Sequence, residues 1–263
     1  MCDTMNQKRL SERKVLITAA SSGIGFAIAS VLAEKGVTIF MTSGSSRIEA
    51  SVDSLRKRGL RVESSVFNMV TEDPADIVEK ASKSMGGIDT LVVNYGDPTL
   101  APFMDLGEED WDRYISMFIR ATVGLVRETV KIIGSEGRII FITSMTTREA
   151  YEGFAISGSL RAAVVNLGKI LSLELGRKGI TVNSISQGYF LTERLGAVIE
   201  RNSRLNMTSV EEEKRKIISS IPVGRIGEPD EIGHLVSFLC SPEASYINGA
   251  NIPIDGGLTR YPY

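Results

Sequence analysis

Short apolar runs alternate along the chain with stretches in which apolar residues recur at helical spacing. The runs lie at 14–20, 37–43, 60–67, 89–95, 137–144, 179–186 and 244–254. Each has β-branched residues on both faces of the pleat, so it lacks the apolar/polar alternation of a half-exposed strand. Parallel strands covered by helices on both faces have this pattern. The sequence predicts an α/β protein with a doubly wound Rossmann fold, in which helices cover both faces of one seven-stranded parallel sheet.

The spacing of glycines and the absence of a linker predict one domain. Gly36, Gly59 and Gly179 each follow a helical stretch, where a left-handed residue ends a helix and turns the chain toward a strand. We see no repeat or low-complexity tract, so a single domain over 1–263 is expected. The strand–helix rhythm breaks once, in the charged, helix-prone segment 192–222. This segment is interpreted as a lid over a site, with a solvated surface excursion as the alternative.

The composition and charge of the chain indicate which kinds of molecule it binds. The chain has 263 residues, of which 43% are hydrophobic, enough for a substantial core. A formal net charge of −2 gives no electrostatic reason to expect a nucleic acid or an anionic membrane as partner. No apolar stretch is long enough to span a bilayer, and the first residues lack the pattern of a signal peptide. We therefore expect a cytoplasmic protein that acts on a small molecule.

Cysteine and histidine are scarce, which excludes two classes of site. Cys2 and Cys240 lie far apart, so we expect free thiols in a reducing compartment rather than a disulfide. His234 is the only histidine and has no cluster of Cys, Asp or Glu around it. A zinc site and a Ser-His-Asp triad are therefore not expected.

The first strand–turn–helix unit carries the clearest binding signal. The apolar run at 14–20 passes through small residues into a helix that contains Gly23 and Gly25. Such a turn lets a phosphate approach backbone N–H groups at the positive end of a helix dipole. Close packing of the helix on the strand is the alternative reason for the two glycines.

The segment TAASSGIG resembles the glycine-rich turn Thr-Gly-x-x-x-Gly-Ile-Gly of the short-chain dehydrogenases/reductases, with Ala19 at the first glycine. LVVNYG resembles the family's Asn-Asn-Ala-Gly strand end, and GRIIFITS ends on Ser144, where the family has its catalytic serine. The resemblance extends over nearly the whole chain and is nearest to the β-ketoacyl-ACP reductase and sugar (glucose) dehydrogenase branch. It implies hydride transfer between a nicotinamide and a carbonyl or alcohol, and a homo-oligomer, tetramer or dimer, that packs through the helix after residue 155.

The resemblance also implies a cofactor site, and NADP is expected in preference to NAD. Ser43 stands where NAD-binding relatives carry an acid for the ribose hydroxyls, and Arg47 lies nearby, so no carboxylate there repels a 2′-phosphate. Asn68 stands where the family has an aspartate that faces the adenine, and Thr192 matches a threonine that contacts the carboxamide. The full set of implied cofactor residues is Ala19, Ser21, Ser22, Gly23, Ile24, Gly25, Ser43, Arg47, Asn68, Met69, Asn94, Gly96, Arg161, Gly188 and Thr192.

The catalytic pattern of the family is altered in this chain. Spacing from Ser144 places Ser157 at the family's tyrosine, which is the general acid/base, and Arg161 at its lysine. Phe118 falls at an asparagine that supports a proton relay, so no relay is expected there. A serine hydroxyl is a far weaker acid than a phenol, whereas Arg161 can hold a ribose or phosphate oxygen and stabilise developing negative charge. The alternative is that Ser157 and Arg161 only flank an apolar helix stripe.

Tyr151, six residues before Ser157, is the predicted substitute acid, with Tyr189 and Tyr95 as further candidates. For each tyrosine the alternative is a packing role. Two functions follow. One is a reductase or dehydrogenase for a small 3-oxoacyl or sugar-like compound, in which Ser144, Ser157, Arg161 and Tyr151 form an atypical catalytic site. The other is a protein of the same fold that binds a nucleotide or metabolite without hydride transfer.

Overall fold

The computed structural model describes residues 8–261 and confirms the predicted fold class. All neighbouring strands are parallel and follow the order β3-β2-β1-β4-β5-β6-β7. The order in which the strands are added to the sheet therefore reverses between β1 and β4, and this reversal opens a crevice at the carboxyl edge of the strands. The strands are β1 (Lys14–Ile17), β2 (Thr38–Ser43), β3 (Val62–Val66), β4 (Thr90–Val93), β5 (Arg138–Ser144), β6 (Thr181–Gln187) and β7 (Asn251–Ile254).

Helices cover both faces of this sheet and enclose two separate apolar cores. One core packs α1, α2 and α9 on the sheet, and the other packs α3, α4, α5 and α6 on the opposite face. Within residues 8–261 no helix is long and apolar enough to cross a membrane. The helices are α1 (Gly23–Glu34), α2 (Arg47–Arg56), α3 (Pro74–Met85), α4 (Glu108–Ile115), α5 (Ala121–Ile132), α6 (Ala155–Leu175), α7 (Glu193–Asn206), α8 (Val210–Ser220) and α9 (Pro229–Cys240).

Three predicted strands are too long. The run at 14–20 leaves the sheet after Ile17, and the run at 89–95 leaves it after Val93, because both continue into loops that face the crevice. Of the run at 244–254 only Asn251–Ile254 is a strand. Before this strand begins, Asn248 supplies a hydrogen bond in place of strand pairing, because its side-chain oxygen accepts from the backbone N–H of Val182 on β6 at 2.9 Å.

The segment 192–222 folds into α7 and α8, which pack on each other around a small third core. Thr192 and Ser209 start the two helices, because each side chain accepts a hydrogen bond from an amide of the first turn. Two arginines tie α7 to the loop after β4. Arg194 donates to the carbonyl of Pro98 at 2.9 Å, and Arg201 donates to that of Leu100 at 2.8 Å.

Candidate functional site

A cavity of about 590 Å³ opens at the carboxyl edge of the sheet. Residues at or just after the ends of β1, β2, β3, β4, β5 and β6 line it, together with the start of α7. This position, at the reversal of strand order, is where open α/β sheets bind ligands. The predicted site residues that line the cavity are Ala19, Ser21, Ser22, Gly23, Ile24, Ser43, Arg47, Asn68, Met69, Asn94, Gly96, Ser144, Ser157, Arg161, Gly188 and Thr192.

The turn between β1 and α1 has a backbone suited to an anion. Gly23 has φ +54°, and a Cβ on buried Gly25 would lie 2.5 Å from the carbonyl oxygen of Ala19. Gly25 therefore supports the turn from behind and is not part of the cavity lining. The side chain of Ser22 makes no capping hydrogen bond, which leaves the amides of the first turn of α1 to a ligand. Ala19 has a left-handed φ of 49°, a conformation that a glycine, as in the family pattern, adopts more easily than an alanine.

Asn94 holds this turn against the end of β4. Its backbone N–H donates to the hydroxyl of Thr18 at 3.0 Å, and that hydroxyl donates to the carbonyl of Asn94 at 2.6 Å. The Asn94 side-chain amide donates to the carbonyl of Ala19 at 3.0 Å. Asn94 thus fixes the shape of the turn through buried hydrogen bonds, in addition to lining the cavity.

Ser43 and Arg47 lie at one end of the cavity. The Ser43 hydroxyl lies 3.0 Å from that of Ser21, so the end of β2 is linked to the first turn. Arg47 is exposed, and its guanidinium has no hydrogen-bond or acidic partner in the part of the chain that the structure describes. This end of the cavity therefore has a cation that is free to contact an anionic ligand.

The remaining implied cofactor residues lie between the two ends. The Asn68 side-chain oxygen accepts from the amide of Val70 at 2.9 Å, and Met69 is buried beside it. Gly188 donates its amide to Ile254 at 3.0 Å, and a Cβ there would meet Asp255 at 2.7 Å. The methyl carbon of Thr192 lies 3.5 Å from where a Cβ on Gly23 would stand, so the start of α7 faces the first turn.

Ser144 and Ser157 lie at the opposite end from Arg47. The Ser144 hydroxyl accepts a long hydrogen bond of 3.3 Å from the amide of Thr146. Ser157 is 5% exposed, lines the cavity, and its hydroxyl has no partner among residues 8–261. Both hydroxyls are available as donors to a ligand oxygen in the cavity.

Arg161 lies one helical turn after Ser157 and is held by a backbone carbonyl and two aromatic rings. Its Nη1 donates to the carbonyl of Ile142 at 3.0 Å. The guanidinium carbon lies 5.0 Å from the ring centre of Phe118 and 5.5 Å from that of Tyr95. Burial lowers the pKa of Arg161 to about 10, which the Tyr95 phenol and Asp97 partly oppose, so the side chain is charged at neutral pH.

Phe118, at the relay position, is fully buried within a π-helical turn at Ser116–Arg120. Its ring centre lies 4.6 Å from that of Tyr95. An apolar ring at this position carries no proton. Sequence reasoning assigned Phe118 no contact with Arg161, and missed Arg113, Gln187 and Arg194 as cavity residues. These three residues lie on α4, β6 and α7, and no motif links them along the sequence.

The three candidate tyrosines differ in position. Tyr151 is not part of the cavity lining; its hydroxyl donates to Glu149 at 3.2 Å, and burial together with that carboxylate raises its pKa to about 12. Tyr95 lines the cavity, but its hydroxyl pairs with Thr122 at 2.9 Å and burial raises its pKa. Tyr189 lines the cavity with no partner for its hydroxyl in the described chain, and burial raises its pKa. The structure thus brings Tyr189, not Tyr151, to the pocket.

Within 8–261 no group of three or more His, Cys, Asp or Glu side chains is placed to hold a metal ion. Cys240 is a buried free thiol, and Cys2 lies outside the described residues.

Comparison with known proteins identifies relatives across most of the chain. A family model described as enoyl-(acyl carrier protein) reductase matches residues 18–259. Oxidoreductase UcpA of Salmonella typhimurium is 35% identical, over 95% of this chain and 96% of its own length. Dehydrogenase/reductase SDR family member 4 of Homo sapiens is 31% identical, over 94% of this chain and 88% of its own.

Solved structures give the same result. L-Sorbose reductase from Gluconobacter frateurii, complexed with NADPH and L-sorbose, is 30% identical with a TM-score of 0.87, covering 95% of this chain and 97% of that one. A short-chain dehydrogenase from Burkholderia cenocepacia in complex with NADP is 28% identical with a TM-score of 0.83, covering 95% of this chain and 99% of that one.

Proposed function

Because the chain belongs to the short-chain dehydrogenase/reductase superfamily, we propose that it is an NADP(H)-dependent oxidoreductase acting on a small 3-oxoacyl or sugar-like compound. One observation carries the proposal. A single cavity extends from the first turn, Ser43 and Arg47 to Ser144, Ser157 and Arg161. Two structural neighbours add support, since one is L-sorbose reductase complexed with NADPH and L-sorbose and the other is a short-chain dehydrogenase in complex with NADP.

The residues present fit an NADP cofactor. The uncapped first turn of α1 suits the pyrophosphate, and the unpaired Arg47 beside Ser43 suits a 2′-phosphate. No carboxylate among the cavity-lining residues belongs to β2 or to the loop that follows it, within the described chain. NADP is therefore proposed in preference to NAD.

At the other end of the cavity the side chains act by binding and by fixed charge. When bound, the nicotinamide supplies or accepts a hydride. Ser144 and Ser157 donate hydrogen bonds to the reacting oxygen, and Arg161 stabilises the negative charge that develops there. The proton is exchanged with water, because Ser157 is too weak an acid, Tyr151 lies outside the cavity, and burial raises the pKa of Tyr189 and so weakens it as a donor.

A second candidate function is binding without turnover, as a sensor or subunit partner. It is favoured by the replacement, in a divergent branch, of the family's tyrosine by Ser157, of its lysine by Arg161 and of its asparagine by buried Phe118. On this alternative a nucleotide or another metabolite binds and no substrate is turned over. We prefer the oxidoreductase because the serine hydroxyls and Arg161 still form a donor set for a reacting oxygen.

Titration with NADPH and with NADH, followed by cofactor fluorescence, tests the proposal. We expect NADPH to bind about tenfold more tightly than NADH, because one charged hydrogen bond is worth roughly that factor. Arg47→Gln should remove the difference, and Arg177→Gln, an exposed arginine outside the cavity, should retain it. Absence of binding by either nucleotide would refute the oxidoreductase and leave only a protein that binds another metabolite. A screen of 3-oxoacyl and sugar substrates with the bound nucleotide then separates turnover from binding alone.

We also propose that 192–222 acts as a lid and that the protein is a homo-oligomer. α7 contributes Thr192, Glu193, Arg194, Leu195 and Val198 to the cavity wall, whereas α8 contributes none of the lining residues.

On α6, Ile170 and Leu173 are 47% and 70% exposed, and such apolar surface favours a second copy. Light scattering should therefore report a dimer or tetramer that Leu173→Arg dissociates.

A further inference from the structure

Arg161 is a buried cation without an acidic partner in the described chain. It is 5% exposed and makes no ion pair with any carboxylate among residues 8–261. Within the described residues its side chain makes one hydrogen bond, from Nη1 to the carbonyl of Ile142, and its Nε is buried there without a partner. A charge removed from water in this way is unfavourable unless something else neutralises it.

The groups around Arg161 orient it without neutralising it. Phe118 and Tyr95 place their rings against the guanidinium, and Tyr95 is fixed by its hydrogen bond to Thr122. Such contacts with ring faces offset part of the lost hydration, but the rings carry no net charge. The side chain is therefore held in one place with its positive charge intact.

The charge and the free donors face the cavity. Nη2 of Arg161 and the hydroxyl of Ser157 make no hydrogen bond within the described chain, and both residues line the cavity. Asp97 and Glu193, the acidic lining residues, are exposed, and Asp97 lies 3.8 Å from Arg194 Nε. Four arginines line the same cavity, so its balance of charge is positive; they are Arg47, Arg113, Arg161 and Arg194.

We propose that the substrate carries a carboxylate next to its reacting carbon, as a 2-oxo or 2-hydroxy acid does, and that Arg161 pairs with this carboxylate. Arg161 is bonded to Ile142, two residues before Ser144 on β5, and lies one helical turn after Ser157. The two serines then bind the adjacent carbonyl oxygen. The proposal rests on the proposed function and names the substrate class for that site.

The arrangement accounts for a reduction in which no side chain gives up a proton. The carbonyl carbon gains a hydride as the nicotinamide is oxidised, and the π electrons pass to the oxygen, which takes a proton from water. Arg161 keeps its proton throughout and supplies fixed charge beside the developing alkoxide. A guanidinium fork matches a carboxylate better than an ammonium does, which explains an arginine here.

Binding of pyruvate and of its uncharged methyl ester, measured by titration calorimetry on protein with and without NADPH, tests this. Pyruvate should bind about tenfold more tightly than the ester, because a charge-assisted hydrogen bond contributes roughly that factor. Arg161→Gln should reduce the ratio to about one, and Arg161→Lys should keep part of it. Arg177→Gln removes an exposed charge outside the cavity and should leave the ratio unchanged.

Equal affinities for acid and ester in the unaltered protein, no binding of either, or a ratio that persists in Arg161→Gln, would overturn the proposal. If Arg161→Gln does not fold, the salt dependence of binding to the unaltered protein still tests the proposal. Raising the salt concentration should weaken binding of pyruvate and leave binding of the ester unchanged. A protein that prefers the acid but binds no NADPH would refute the proposed function alone. One that binds NADPH but shows no preference would refute this inference alone.

Discussion

The two ends of the cavity are built differently. At the cofactor end most polar side chains are bonded to neighbouring groups, as Thr18 is to Asn94 and Ser21 to Ser43, so the ligand is left mainly with Arg47 and with backbone amides. At the reaction end the hydroxyl of Ser157 and two nitrogens of Arg161, Nε and Nη2, have no hydrogen-bond partner in the described chain. The first end depends mainly on backbone shape, whereas the second depends on side-chain chemistry.

The largest expected effect comes from restoring the family's pair at the reaction end. Ser157→Tyr combined with Arg161→Lys introduces a phenol as proton donor beside an ammonium. General acid catalysis contributes about 10²–10⁴-fold, so NADPH-dependent reduction of a 3-oxoacyl or sugar substrate should rise by roughly that factor. Steady-state rates of the double variant and of each single variant measure the effect. A double variant no faster than the unaltered protein would show that Phe118 and Tyr95 prevent the restored pair from working.

At the cofactor end, Gly25→Ala should destabilise the fold and abolish nucleotide binding. The added Cβ would lie 2.5 Å from the Ala19 carbonyl oxygen and 2.8 Å from the Asn94 side-chain nitrogen. We expect a loss of about 2–3 kcal/mol in the free energy of unfolding, measured with urea. Gly196→Ala, in α7 with no atom near the added carbon, is the matched control and should raise stability by up to about 1 kcal/mol. Equal losses in both variants would contradict the close packing.

The preference for an acid over its ester should be constant between about pH 6 and 9 and fall as the pH rises through about 10. Burial lowers the pKa of Arg161 to about 10, so the guanidinium is protonated below that pH and loses its charge above it. Of the titratable groups around it, the Tyr95 phenol stays neutral over this range because burial raises its pKa. The ratio of the two affinities, measured across the range, checks this. A ratio that changes near pH 7 would assign the discrimination to another group.

The smallest effect is expected at Ala19. The left-handed backbone at this position destabilises an alanine by about 1–2 kcal/mol, and a glycine avoids this strain. The glycine also loses about 0.5–1 kcal/mol of stability through the greater entropy of the unfolded chain, which offsets part of the gain. Ala19→Gly should therefore stabilise the protein slightly, by up to about 1 kcal/mol in urea unfolding, with NADPH affinity retained. Destabilisation by the glycine would mean that the Ala19 methyl group makes packing contacts worth more than the backbone strain.

The cofactor end was largely predictable from the sequence because its signals are local. Apolar runs without alternation identify buried parallel strands, and the small residues from Ala19 to Gly25 identify the turn. The ends of β1 and β4 were predicted too late and the start of β7 too early, because the runs extend into loops where no strand pairs with them.

The reaction end was predictable only as a pair of positions. Ser157 and Arg161 followed from spacing within the family pattern, but the aromatic contacts around Arg161 join residues from three separate segments. The same limit explains the choice of Tyr151 over Tyr189. Tyr151 is nearer to Ser157 along the chain, whereas the turn after β6 brings Tyr189 to the cavity. Contacts of this kind depend on tertiary packing and leave no periodicity in the sequence.

The bonds that tie α7 to the loop after β4 end on main-chain oxygens. Arg194 and Arg201 donate to the carbonyls of Pro98 and Leu100, and carbonyls are present whatever side chains the loop carries. Substitutions in this loop can therefore reshape the cavity mouth while the attachment of α7 persists. The loop after β4 is therefore the place where substrate range can change most easily during evolution, because its main-chain hydrogen bonds to α7 do not depend on its own side chains.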